Sequence, residues 1–157
     1  MRSVFLILVT VMAVAASSFT SGNKDTVTKD TVLNAIATFR IEPRSQTGRA
    51  AAAVIIDFAE KSHDVAVNIS QKALPFLSKK QNSSPERGTL MAAFIAGNID
   101  AQLLRGEKKD EPYAGELQVI DTYRQMQRTN PKLRIAEVDK FIELEKRGEL
   151  KRYVSPP

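Results

Sequence analysis

Two amide side chains, Asn98 and Gln102, stand one helical turn apart in a segment that is otherwise mostly apolar, flanked by Met91 and Ile95. A buried amide left without partners costs about 1–3 kcal/mol, so such a pair has two uses. It can hold a small polar ligand at the floor of a pocket, or it can bond neighbouring backbone, such as an irregular end of the segment Val65–Ile69. Asn98 and Gln102 are the ligand-binding candidates that the sequence offers.

His63 is the single histidine of the chain and sits between Ser62 and Asp64. These three residue types carry nucleophilic catalysis in hydrolases, but adjacent residues cannot form the relay, which needs side chains converging from separated positions. A hydrolase using His63 would need a distant serine and carboxylate. The reading that competes with it is a polar loop in which Ser62 or Asp64 caps the next element. The acidic pairs Asp110/Glu111 and Asp121/Glu137 are of the right type for general acid–base work, yet nothing around them in sequence predicts a raised pKa. No catalytic residue is assigned. With one histidine and no cysteine, only carboxylates remain as further metal ligands, and no metal or cofactor is expected.

The elements that must position these residues read as helices. Val32, Ala35, Ile36 and Phe39 recur at helical spacing in a first helix from about Val27 to Arg40, ended by Pro43. A second starts at Thr47 as its cap, with Ala51, Val54, Ile55, Phe58 and Ala59 as one stripe. Residues 65–69 alternate like a short extended stretch, and Ser70 opens a brief helix after them. Ser84-Pro85 starts a helix that runs to about Arg105 and stops at Gly106. Leu90, Ala93, Phe94, Gly97, Ala101 and Leu104 line one side of it, and Met91, Ile95, Ile99 and Leu103 the other, so it is expected to be the central, buried helix. Gly97 marks a close crossing, for which the alanine run Ala50–Ala53 is the expected partner. Two more helices come after it, from about Tyr113 to Arg128 and from about Ile135 to Arg147, the second stopped by Gly148 before a tail that Leu150, Tyr153 and Val154 pack back. The fold class is all-α, a compact bundle of five or six helices in a single domain over residues 26–157.

Within the penultimate helix, Tyr123, Met126 and Pro131 resemble in spacing the second half of a tetratricopeptide repeat, where an aromatic and a small residue precede a helix-ending proline. Met126 stands where that repeat has a small residue, and the preceding helix does not keep its spacing. Such repeats need about three units to bury a continuous core, so the resemblance implies the packing of a helical hairpin and not membership of the family.

The chain opens with Arg2, an apolar run from Val4 to Val14 broken by Thr10, and the small residues Ala13, Ala15 and Ala16. That is the layout of a secretory signal, assigned to residues 1–16, with a polar lead-in over 17–25 after it. The run falls short of the roughly 20 residues that span hydrocarbon, so no membrane span is expected once the leader is removed. Losing Arg2 takes the formal charge from +5 to +4, because no other charged residue lies in 1–16. Acids and bases are interleaved, as in residues 107–111 and 143–147, which suits a solvated helical surface and not a nucleic-acid binder. The functional expectation is an exported, periplasmic or secreted, non-enzymatic domain acting by contact with a protein or cell-envelope partner. The alternatives are a small-polar-ligand binder through Asn98 and Gln102, or a hydrolase using His63.

Overall fold

The structure is a computed structural model and describes residues 27–77 and 84–155. The expected leader and lead-in, residues 1–16 and 17–25, lie outside the described residues. Among those described, six helices form: α1 (Lys29–Ile41), α2 (Gln46–Lys61), α3 (Pro85–Arg105), α4 (Pro112–Thr129), α5 (Ala136–Lys146) and α6 (Leu150–Val154), with a 3-10 turn at Pro75–Leu77 and no strand. The expected all-α class is what the chain adopts.

Thr28 starts α1, its hydroxyl accepting from the Thr31 amide (3.2 Å), and the predicted stripe Val32, Ala35, Ile36 and Phe39 is buried. The cap of α2 is Ser45, whose Oγ accepts from the Gly48 amide (2.8 Å), and not Thr47. The reason is Gly48. A Cβ there would overlap the Glu42 backbone, so its absence lets α2 begin hard against the end of α1. α1 and α2 then pack along each other as a hairpin.

α3 is the central element. Ser84 caps it (Oγ to the Arg87 amide, 3.3 Å), Pro85 occupies its first turn, and Gly106 ends it in the left-handed region at φ 66°. From Ala92 to Ile99 every residue is buried. Its closest partner is α4 and not the alanine run of α2: a Cβ at Gly97 would come within 2.5 Å of the Ala114 carbonyl oxygen and 2.7 Å of Gln118 Cβ. Gly115 answers from α4, where a Cβ would meet the Phe94 ring at 2.6 Å. Two glycines therefore let α3 and α4 approach, one against backbone and one against an aromatic face.

One expectation for α3 fails at its end. Leu104 does not join the buried side but is 76 % exposed. Beyond Gly97, the small residues Ala101 and Ala114 leave a shallow groove between α3 and α4, and nothing among the described residues closes it over Leu104. Gly148, at φ 70°, turns the chain from α5 into α6, and Leu150 and Val154 return to the core.

Candidate functional site

Asn98 and Gln102 are both buried and bonded to each other, Gln102 Nε2 donating to Asn98 Oδ1 (2.6 Å). Gln102 also grips both backbone groups of Ala66: Nε2 donates to its carbonyl (2.8 Å) and Oε1 accepts from its amide (2.9 Å). That is the service a neighbouring strand would give. It explains how the irregular segment 65–69, whose alternation resembles a strand, is held in an all-α protein. Asn98 Nδ2 donates to Asp110 Oδ1 (2.7 Å), and Asn98 Oδ1 also accepts from the Glu111 amide (3.0 Å). The same Asp110 oxygen accepts from the Asn68 amide (3.2 Å). Two amides on one face of α3 thus fasten two irregular segments, 66–68 and 110–111, to the core. Neither amide lines any of four hollows on the surface of the domain.

His63 is exposed in the turn after α2. Ser62 Oγ accepts from the Asp64 amide (3.1 Å), and Asp64 pairs with Lys29 (3.4 Å) across the turn. The structure brings no serine and carboxylate to the imidazole among the described residues, and His63 too lines none of the four hollows. Of the acidic pairs, Asp110 is taken into the amide cluster, Glu111 is paired with Arg105, and exposed Asp121 faces Arg124 (3.7 Å). Among the described residues no three His, Asp or Glu side chains gather to hold a metal ion.

Glu116 is the polar group that sequence reasoning missed. It is 0 % exposed, and neither carboxylate oxygen has a hydrogen-bond partner. Burial pushes its carboxyl from the ordinary 4.5 up to about 9, with desolvation as the cause, so it is a neutral acid at pH 7. The signal was present: Glu116 precedes Val119, Ile120 and Tyr123 by three, four and seven residues, which is the buried stripe of α4. Tyr123, by contrast, is buried with partners. Its hydroxyl accepts from the Ile135 amide (2.9 Å) and donates to Asp139 Oδ1 (3.1 Å), joining α4 to the start of α5.

The surface carries two further features. Arg40 ties α1 to the α3–α4 hairpin, its Nε donating to Gln118 Oε1 (2.6 Å) and its Nη2 to Asp100 Oδ2 (2.7 Å). Gln125 Nε2 secures the end of α1 through the Ile41 carbonyl (2.7 Å), leaving the Ile41 side chain 74 % exposed. On one side of the Arg40 bracket lies the α3–α4 groove of about 320 Å³ with Ala101, Leu104 and Leu117. On the other is a groove of about 240 Å³ with Ile41, Pro43 and Met126. Ala114, Leu117, Gln118, Asp121 and Gln125 form one helical stripe that runs through both. The second feature is a cavity of about 460 Å³ where the α3–α4 loop meets α6, its walls including Arg105, Lys109, Asp110, Glu111, Tyr113 and Lys151. A fourth hollow, of about 290 Å³, lies between α1, α2 and the start of α3.

The fold and these features define a small helical domain with a clamped loop cluster and a partly apolar face. Comparison of the chain with protein families, with curated proteins and with solved structures finds no match.

Proposed function

We propose that the protein is an exported, non-enzymatic domain that works by contact with a protein or cell-envelope partner, and that the α1–α3–α4 face makes that contact. The observation that carries the reading is the pair of aliphatic side chains Leu104 and Ile41, 76 % and 74 % exposed, set beside grooves on one stripe of α4. Between Ala114 and Gln125 that stripe covers about 16 Å of helix at 1.5 Å per residue. Solvated aliphatic side chains are common singly, but two of them flanking apolar hollows with a charged rim fit a contact surface. Arg40, Asp100 and Asp121 supply the rim. The leader layout of residues 1–16 supports export, and contact is preferred to hydrolysis because the serine and carboxylate beside exposed His63 are its own sequence neighbours, which cannot form a relay.

The test is site-specific photocrosslinking in the native host. A photoreactive side chain placed at position 104 or 41 should give the same discrete adduct, and one at exposed Lys132, outside both grooves, should not. Equal labelling from all three positions, or none from 104 and 41, would overturn the reading.

A further inference from the structure

We infer that α6 is a lid over Glu116, and that it lifts from the core when this carboxyl gives up its proton. α4 is covered by α3 on its Gly115 side, where the Phe94 ring lies, and by the start of α5 at Tyr123, whose hydroxyl accepts from the Ile135 amide (2.9 Å). At its first turn the neighbour is α6. Lys151 stands 6.0 Å from the centre of the Tyr113 ring, and both residues wall one cavity with Pro112 and Ser155. Glu116 follows Tyr113 by three residues and Pro112 by four, so it lies on the side of α4 that meets α6. There it is fully buried, with no hydrogen-bond partner for either oxygen.

Of the elements around α4, α6 is the one most easily moved. It has five residues, no side-chain bond caps its start, and it follows Gly148 at φ 70°, the left-handed turn that hinges it to α5. Leu150 and Val154 hold it to the core, Tyr153 lies tilted against Phe141, and Lys72 Nζ reaches the Ser155 carbonyl through a long hydrogen bond (3.4 Å). α3 and α5 run over 21 and 11 residues, so a route for water past α6 disturbs the least packing. The ionisable groups that these helices bring against α4 are engaged elsewhere. From α3, Asp100 and Arg105 are paired with Arg40 and Glu111. From α5, Asp139 accepts from Tyr123 and Glu145 faces Arg124 (3.7 Å). From α6, Lys151 lies over the Tyr113 ring and the Tyr153 hydroxyl accepts from Lys140. None of them bears on the Glu116 carboxyl, which desolvation alone raises to about 9. Its charge has to be met by water, and lifting the lid admits water. The closed form keeps its proton up to about 9 and the open form loses it at the ordinary 4.5, so closure is intact below the lower value and weakens towards the upper one. Between them the open fraction grows about tenfold for each pH unit. Leu104, Ile41 and Arg40 take no part, so this inference and the α1–α3–α4 contact face can fail separately.

Amide hydrogen exchange of the full chain, followed by NMR from about pH 5.5 to 8 and expressed as protection factors, tests the lid. The Tyr153 and Ser155 amides bond to the Glu149 and Lys151 carbonyls (3.0 Å each). Their protection should fall about tenfold per pH unit, while Ala96 and Ile99 in α3 stay at least about a hundredfold better protected. In Glu116→Gln, which cannot ionise, α6 protection should be level across the range. Should that variant fail to fold, the carboxyl carbon of Glu116 in the parent chain decides. Its shift should report ionisation at the pH where the fall in α6 protection ends. Protection of α6 that is constant with pH, or that falls as steeply in Glu116→Gln, would overturn the lid. So would equal protection of α6 and α3, which would mean that the carboxyl acts only through unfolding of the whole domain.

Discussion

At the scale of single residues, Glu116 links packing to pH. Its carboxyl is raised to about 9 in the folded chain against 4.5 when solvated, so between these values the native state holds a proton that the unfolded chain releases. The sign comes from linkage: this group leaves stability intact below about pH 4.5 and removes it as the pH rises towards 9. Unfolding free energy should fall by about 2–4 kcal/mol between pH 5 and pH 8, measured by denaturant melts across that range. Glu116→Gln cannot ionise and should flatten the dependence; an unchanged slope in that variant would place the titration elsewhere. Gln102 is a different case, because its value lies in what it satisfies. Gln102→Leu strips partners from both backbone groups of Ala66 and should cost about 2–4 kcal/mol, with faster amide exchange at Ala66 as its local signature. The two amides were legible in sequence as a buried pair needing partners, and bonding to the Val65–Ile69 segment was one of the two uses foreseen. Asp110 as their second anchor was not, since nothing in local spacing says which loop returns to α3. Glu116 was hidden for another reason. A charged residue type reads as surface unless its register with Val119, Ile120 and Tyr123 is allowed to outweigh it.

At the scale of elements, the α3–α4 crossing is where sequence and structure part most usefully. Apolar periodicity, with proline, capping serine and glycine marking the ends, placed α1, α3 and α4 within one or two residues, because each buries a stripe that repeats every three or four positions. The cap of α2 moved from Thr47 to Ser45 because the tight approach at Gly48 is a tertiary fact. Gly97 likewise announces a close neighbour without naming it, and Ala50–Ala53 was the wrong neighbour for it. The crossing with α4 makes a sharp prediction. Alanine normally gains about 1 kcal/mol over glycine inside a helix. Gly97→Ala should nonetheless destabilise by about 1–3 kcal/mol, because its Cβ meets the Ala114 carbonyl, which cannot rotate away. Phe94→Ala should cost about 3–5 kcal/mol through the cavity it opens beside Gly115. Three denaturant melts compare them, and a stabilising Gly97→Ala would show that α4 yields there.

At the scale of the whole molecule, the leader reading and the fold meet at the start of α1. The signal layout ends near residue 16, and the first described residue, Val27, already packs against the core, with the Thr28 cap next to it. A cleavage near residue 16 would fall about ten residues ahead of Val27 in sequence, in a segment rich in Ser, Thr, Gly and Asn. Protein recovered from its native host should therefore begin between residues 16 and 19, as read by N-terminal sequencing, and an intact Met1 in the cytoplasm would end the export reading. The same logic fixes where truncation begins to hurt. A chain starting at residue 19 should match the mature form in denaturant midpoint. One starting at residue 31 loses Val27 and the Thr28 cap, and should be less stable by about 1–3 kcal/mol, since a hydroxyl cap contributes about 1 kcal/mol and a partly buried valine a similar amount. If the two truncations melted alike, α1 would not be held by its first turn. The core would then begin at Val32, with the capping turn dispensable to it.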